Sequence, residues 1–406
     1  MKLPILFFIS LFSINFSLAQ DSLVVYDVIH QNLQLHPPVT YDTSISFNTT
    51  QHAIGSLGNR IPLPLSPPSP PLLHPSSLFS AIAPAHNFYD ISDYPIRTGV
   101  LLRQLDQDTI TGPLCSGIMV GPDMVLTAAH CVKHISNGSW HGDSIMIAPA
   151  YDNGHFHPTL PTSTGIKYYM LQRSFYNFLQ RDLALIQLRE PIGLQIGWIG
   201  MAYQEDLSYF DQRIFHKLSY PSSIDYADTS KVYNGDTLFY NYGHINTLNI
   251  LPSHQLGVLS ATGIGGQSGS SLFYTDNDSS YYTFGVMSLS TNYRHAQLTA
   301  QAFYTFQHVL QQYGTLTNVH PLTTPTEAHA APNPFQSETT IYFENPQGLS
   351  YQFELINTQG QCIYTRSDIT TSSISLQRQN WSAGLYFFRL KTAKQPAVVG
   401  KLLIQD

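Results

Sequence analysis

From Arg97 to Leu289 the chain is built of short β-branched and aromatic runs, each broken by Gly, Pro, Asn or Asp, and this texture constrains the fold more than any other feature. The runs are Thr98 to Leu105, Ser116 to Val120, Met124 to Thr127, Ser144 to Ala148, Leu183 to Leu188, Arg213 to Ser219, Gly257 to Ser260, Ser271 to Tyr274 and Tyr282 to Leu289. Many short strands separated by turn signals imply a sandwich or a barrel. The period then changes. Gln297 to Gln312 places Leu298, Ala302, Phe303, Phe306, Val309 and Leu310 at helical spacing, and Gly314 stops the pattern. One helix is therefore expected to close the domain.

With 406 residues, 43% hydrophobic and 12% aromatic, the chain has material for two or three packed units and is not a disordered protein. Only 11% of residues are Asp, Glu, Lys or Arg, and the net charge of -7 comes from scattered acids. No basic stripe marks a nucleic-acid partner. The 25 tyrosines read as packing on strand faces.

Met1-Lys2, the apolar stretch Leu3 to Phe16 and Ser17-Leu18-Ala19-Gln20 have the charge, apolar core and small-residue exit of a secretory signal peptide, with cleavage expected after Ala19 or Gln20. The apolar run falls short of the roughly 20 residues of a bilayer span, and no later segment reaches that length, so no transmembrane span is expected in the mature chain. Export to an oxidising compartment would allow Cys115 and Cys131 to bond, since they bracket one strand-turn-strand pattern. Cys362 reads as a small buried hydrophobe in a separate domain.

Composition divides the rest. Residues 21–95 have few sustained apolar patterns and include the proline-rich stretch Ile61 to Pro71, which suits a pro-region or a linker. Residues 96–314 hold the strand-rich domain, residues 315–330 read as a linker, and residues 331–406 carry a second set of alternating runs, enough for a small β-sandwich.

Three segments carry chemistry: Leu126-Thr127-Ala128-Ala129-His130-Cys131, Arg181-Asp182-Leu183-Ala184-Leu185-Ile186 and Gly265-Gly266-Gln267-Ser268-Gly269-Ser270. A hydroxyl is a poor nucleophile at neutral pH, so it needs an imidazole to take its proton and a carboxylate to orient that imidazole. His130, Asp182 and Ser268 supply one of each, which points to a nucleophilic serine hydrolase. Any one of the segments alone has an ordinary structural explanation; the set is the signal. His155-Phe156-His157, with His141 upstream, is the competing metal candidate, but an alternating pair in a Gly/Pro-rich loop lacks the further ligands of a zinc site, so no metal and no cofactor is expected.

The run from Cys115-Ser116-Gly117 to Cys131 resembles the histidine region of trypsin- and chymotrypsin-like serine proteases, and the order His130, Asp182, Ser268 agrees with that family. The resemblance implies an all-β fold of two six-stranded antiparallel β-barrels with a C-terminal helix. It also implies Ser268 as nucleophile, His130 as general base and then acid, Asp182 as its orienting carboxylate, and the amides of Gly266 and Ser268 as the oxyanion hole. A disulfide between Cys115 and Cys131 follows from the same resemblance, as does a protein or peptide substrate.

Around the serine the sequence departs from trypsin. Gln267 stands where trypsin-like enzymes carry an Asp that pairs with a newly formed N-terminus, so activation by that switch is not expected. The Gly265-Gly266-Gln267-Ser268-Gly269-Ser270 pattern is similar to bacterial glutamyl endopeptidases, which have Asn in place of Gln267. By the same resemblance the substrate pocket is formed by Thr262, Gly263, Met287, Ser288, Leu289 and Ser290. Thr262 replaces the acid that would favour Lys or Arg, and Met287 replaces the His of the glutamyl enzymes, leaving an uncharged pocket for a small or medium apolar side chain. The rival readings are an inactive protease-fold binding protein at the cell surface, motivated by Gln267 and Ser271, and an esterase.

Ala331-Pro332-Asn333-Pro334-Phe335, Phe353 to Gln361, Ser382 to Phe388 and Lys401-Leu402-Leu403-Ile404 resemble the type A sorting domain of type IX secretion. This implies export to the periplasm of a Gram-negative bacterium, engagement of the type IX machinery, and release or attachment at the cell surface. An ordinary surface-binding sandwich is the alternative for this unit.

Overall fold

The structure is a computed structural model that describes residues 21–405 except 58, 67–78, 108, 135–136, 173, 175–180, 211–212, 226–227, 246–254, 258–262, 276–279, 290–293, 316–327, 344, 346–347, 358–360 and 393–394. The expected signal peptide and most of the expected linker at 315–330 lie outside the described residues, as do Thr262 and Ser290. The chain divides into two compact units, Met1–Asn318 and Val319–Asp406.

Strands supply most of the regular structure among the described residues of unit 1. In chain order the strands are β1 (Leu23–Asp27), β2 (Asn32–His36), β3 (Phe47–Thr49), β4 (Ala83–Pro84), β5 (Gly99–Asp106), β6 (Thr109–Gly121), β7 (Met124–Thr127), β8 (Ser144–Pro149) and β9 (Ser163–Leu171). They continue with β10 (Ala184–Leu188), β11 (Gly200–Gln204), β12 (Phe215–Ser219), β13 (Phe239–Gly243), β14 (Gln255–Gly257), β15 (Ser271–Thr275), β16 (Tyr281–Leu289) and β17 (Arg294–Gln297). Six of them close into a barrel in the order β10-β7-β6-β5-β8-β9, because β9 also pairs with β10. Closure removes the unpaired edges that an open sheet would expose. Leu102, Ile118, Val125, Ile147, Tyr169 and Leu185 are buried in it.

β1 and β2 extend the barrel sheet beyond β9, and the other nine strands form a second sheet, β14-β17-β16-β15-β12-β13-β4, with β11 paired in parallel to β16 and antiparallel to β3. Where the resemblance implies a second six-stranded barrel, the described residues give this sheet. Phe210, Phe215, Leu272, Phe284 and Met287 pack together against it. After α1, the single turn Gly193–Ile196, the one long helix among the described residues is α2 (Ala300–Tyr313), close to the span read from its period. The Thr299 side chain accepts from the Ala302 amide at its start, and the Gly314 amide reaches the Leu310 carbonyl at its end.

Unit 2 holds β18 (His329–Ala331), β19 (Glu338–Tyr342), β20 (Tyr351–Ile356), β21 (Cys362–Ile369), β22 (Ser373–Gln377), β23 (Gly384–Thr392) and β24 (Gln395–Ile404). Three of these form the sheet β18-β19-β22 and four the sheet β21-β20-β23-β24, around one core that includes Ile341, Phe353, Leu355, Phe388, Leu390 and Leu402. Cys362 departs from expectation: it is exposed, because β21 is the outer strand of its sheet and its first positions face away from the core.

The N-terminal segment also departs from expectation. Read as a region apart from the catalytic core, residues 21–95 have described stretches that pair with the strands of unit 1. β1 pairs with β9 along its whole length, and Leu23, Val24 and Val25 are buried in the main core. β3 pairs with β11, β4 with β13, and Phe79 is fully buried. The apolar runs that do this are too short to register as a periodic pattern beside the prolines. Arg97 fastens the segment. Fully buried, it donates from Nε to the Ile196 carbonyl at 2.6 Å, from Nη1 to the Ser92 carbonyl at 2.6 Å, and from Nη2 to the carbonyls of Ile54 at 2.7 Å and of Leu57.

Replacing Arg97 with Met takes the donors from one buried carbonyl, that of Ile196, and from three partly buried ones. We expect stability to fall by about 1–3 kcal/mol, the cost of orphaning a buried acceptor. Urea unfolding of the wild type and Arg97→Met measures this, and a difference below about 1 kcal/mol would contradict the clamp.

Candidate active site

β7 and β10 are neighbours in the barrel, with Thr127 opposite Ala184. The chain leaving β7 turns at once through Ala129–Cys131, and Asp182 lies just before β10, so strand pairing alone carries His130 and Asp182 to the same rim. Cys131 is tied by a disulfide to Cys115 in β6, which fixes the turn from its far side.

Asp182 is fully buried and accepts at both oxygens. Oδ1 takes the His130 backbone amide at 2.9 Å, while Oδ2 takes His130 Nδ1 at 2.6 Å and the Ser288 hydroxyl at 2.6 Å. A carboxylate only accepts, so the hydrogen on the neutral imidazole sits on Nδ1 and Nε2 keeps its lone pair. Burial works against a charged imidazolium here, but the charge and hydrogen bond of Asp182 outweigh it, and the His130 pKa is raised above 6.5. Ser288, read from the sequence as pocket wall, donates its hydroxyl to Asp182. Sequence reasoning missed this contact; alternation along β16 was the signal, because it sends Ser288 and Met287 to opposite faces.

Ser268 lies half-buried in the tight turn between Ile264 and Ser270. Its carbonyl accepts from the Ser116 amide at 2.8 Å, and the next amide, of Gly269, donates to the Met287 carbonyl at 2.8 Å. Gly269 has φ +80, and a Cβ there would stand 2.1 Å from Thr127 Oγ1 and 2.2 Å from the Ser116 carbonyl. Only glycine allows the turn to press against the end of β7, two residues before Ala129. Among the described residues no hydrogen bond joins Ser268 Oγ to His130; contacts of this kind commonly tighten when substrate arrives.

Amide use in this turn is uneven. Gly265 donates to Ser223 Oγ at 2.8 Å, Gln267 to the Ile264 carbonyl at 3.1 Å, Gly269 to the Met287 carbonyl and Ser270 to the Gln267 carbonyl at 3.0 Å. Among the described residues the amides of Gly266 and Ser268 donate to no protein acceptor. They are the pair named from the sequence as an anion-binding site. Gly266 has φ +88, where a Cβ would collide with Ser222 Oγ and the Tyr220 carbonyl, both 2.4 Å away.

Of the expected pocket residues, Gly263 is buried, and Thr262, Ser290 and the Leu289 side chain lie outside the described residues. Met287 is fully buried in the apolar cluster, with its sulfur 2.9 Å from Lys217 Nζ. Of the metal candidates, His141 has its Nε2 3.1 Å from the His130 carbonyl and its ring against His134, while His155 is exposed. Cys115, His130 and Cys131 do lie together, but the two sulfurs are bonded to each other and offer no thiolate.

A closed β-barrel with a buried Asp–His pair at its rim, beside a glycine-framed serine turn, is the setting of a serine-hydrolase site. The sequence pattern of the family described as Trypsin matches residues 94–310, just over half of the chain, and the chain belongs to that family. Residues 330–405 match the family described as Secretion system C-terminal sorting domain. A glutamyl endopeptidase from Bacillus licheniformis is 27% identical over 199 residues, which cover 47% of this chain and 57% of that relative. This chain thus spans somewhat over half the length of that relative. The solved structure titled "Structure of Glu endopeptidase in complex with MPD" aligns at TM-score 0.43 and 16% identity, covering 57% of this chain and 96% of that one.

Because Asp182 is what lifts the His130 pKa, Asp182→Asn should lower it, leaving burial unopposed. Titrating the His130 ring by NMR in both proteins checks the sign: an unchanged or higher value in the variant would show that the pair does not set it.

Proposed function

We propose that this protein is a secreted serine endopeptidase. The observation that carries the reading is the juxtaposition of a fully buried Asp182 holding His130 by two hydrogen bonds with a serine turn whose Gly266 and Ser268 amides are unspent. Ser268 Oγ attacks the scissile carbonyl as His130 Nε2 takes its proton, the oxygen that becomes negative is held by the two amides, and the protonated His130 then gives its proton to the leaving amine. Water repeats the sequence on the acyl-enzyme. Asp182 fixes the tautomer and stabilises the imidazolium. These steps are the general Ser-His-Asp chemistry of the family, applied to the residues present.

In this proposal the second sheet of unit 1 stands for the second barrel, and unit 2 is a small sandwich that directs export. The signal peptide leads the chain to the periplasm, and the sorting domain then engages the type IX machinery for release or surface attachment. Residues 21–95 stay with the protease domain, as their strand pairing and the Arg97 clamp favour.

The cleavage preference follows from an uncharged pocket beside Met287, suited to small or medium apolar side chains. One observation favours a second reading, an acidic side chain: the buried Lys217 Nζ lies 2.9 Å from the Met287 sulfur, although burial, which lowers its pKa to about 7, opposes its positive charge. The name of the Bacillus relative agrees with that reading.

A fluorophosphonate probe should label wild-type protein at Ser268 and leave Ser268→Ala unlabelled, while kcat for peptide cleavage falls at least about 10⁴-fold in that variant. An unlabelled wild type would leave the binding-protein reading in its place, and ester without peptide hydrolysis would leave the esterase. Since His130 must be neutral to accept the proton and its pKa is raised, kcat/KM should fall as the pH drops through a midpoint above 6.5, about tenfold per pH unit beyond it. A peptide-library profile separates the two preferences: apolar selection supports the uncharged pocket, whereas Glu or Asp selection that is lost in Lys217→Met supports the second reading.

A further inference from the structure

Gln267, the residue before the serine, is fully buried, and both ends of its amide are engaged. Its Oε1 accepts from the Ile264 backbone amide at 3.1 Å, and its Nε2 donates to Ser219 Oγ at 3.0 Å. Ile264 opens the serine turn, whereas Ser219 is the last residue of β12, a strand of the second sheet. The side chain therefore crosses the inside of the turn and fastens it to the sheet beneath. Other ties hold the turn's backbone: the Ser222 amide donates to the Gly265 carbonyl at 2.6 Å, and Ser116 Oγ donates to the Gly266 carbonyl at 2.8 Å. Gln267 is the tie placed between the two unspent amides, those of Gly266 and Ser268.

The chemistry of the amide matters. A single neutral group acts here as acceptor at one end and donor at the other, which no carboxylate or ammonium does. A buried polar group that loses its partner must be desolvated without return, so the bridge holds the peptide planes of the turn in one orientation. Because the brace is neutral, it needs no ion pair and no free chain end.

We infer that Gln267 is a positioning residue: by bridging Ile264 and Ser219 it aims the Gly266 and Ser268 amides at the oxygen of the tetrahedral intermediate. The inference rests on the proposed endopeptidase reading. A brace of this kind acts on the charged intermediate and not on the bound peptide, so its loss appears in kcat.

The test uses the full secreted chain with two substitutions. Gln267→Met keeps the length and removes both hydrogen bonds; Ser219→Ala leaves Gln267 in place and removes only the anchor. Deleting one oxyanion donor outright costs about 10²–10³-fold in kcat. Misaiming the pair should therefore lower kcat at least about tenfold in Gln267→Met and less in Ser219→Ala, with KM within about twofold. Affinity for a peptide boronate, which forms a tetrahedral anion on Ser268, should weaken in step with kcat. A purely structural role would leave that parallel absent. Unchanged kcat in both folded variants, or a loss confined to KM, overturns the inference while active wild type preserves the endopeptidase reading; inactive wild type overturns both. If circular dichroism shows that Gln267→Met does not fold, Ser219→Ala decides alone, by the same kcat and boronate criteria.

Discussion

The buried carboxylate of Asp182 organises unit 1. It stands at the foot of β10 in the closed barrel, holds the turn that follows β7, and receives a hydroxyl from Ser288 on β16 of the other sheet. A charge taken out of water costs several kcal/mol unless donors replace its hydration. Here the three replacements come from two sheets, so the charge is tolerated only when barrel, histidine turn and second sheet meet in one arrangement. The same requirement that stabilises the carboxylate sets the tautomer of His130.

A second constraint is how closely backbone approaches backbone. Ser116 in β6 lies at the centre of it: its amide holds the Ser268 carbonyl, its carbonyl takes the Thr127 hydroxyl, and its own hydroxyl bridges the Tyr220 amide and the Gly266 carbonyl. Ser116 is also adjacent to Cys115, whose disulfide reaches the residue after His130. The serine turn and the histidine turn are therefore registered through one short piece of barrel strand. Gly266 and Gly269 are needed because any Cβ would occupy space already taken by that strand, by Thr127 or by the 220–222 loop.

How much of this could be read beforehand depended on the kind of signal. β7, β10, β15, β16 and α2 were legible because each has a largely apolar run or a clear helical period ended by a turn residue. The segments carrying His130, Asp182 and Ser268 were legible as short local patterns. β9 was not, since Ser163 to Leu171 mixes Gly, Lys and Thr with its tyrosines, and β11 is buried despite ending in Gln204. β1 and β3 were hidden for a different reason: they gain stability from pairing with distant strands, information that no window of local sequence contains. The hydroxyl of Ser288 and the amide of Gln267 were visible as residues, but their partners lie 106 and 48 positions away.

Arg97, Lys217 and Asp182 are all almost completely buried in unit 1, and each is handled by different physics. Arg97 is met by backbone carbonyls, which satisfy its planar fork while burial lowers its pKa. Lys217, with a compact ammonium next to a thioether, has a pKa low enough for a neutral amine near pH 7. Asp182 is met by donors to both oxygens and sits beside a histidine whose protonation it favours. Of the three, only this last solution leaves a full charge next to a group that can take up a proton. It is the arrangement a proton-transfer site requires, whereas carbonyls hold the Arg97 charge in place and burial works against a charge on Lys217.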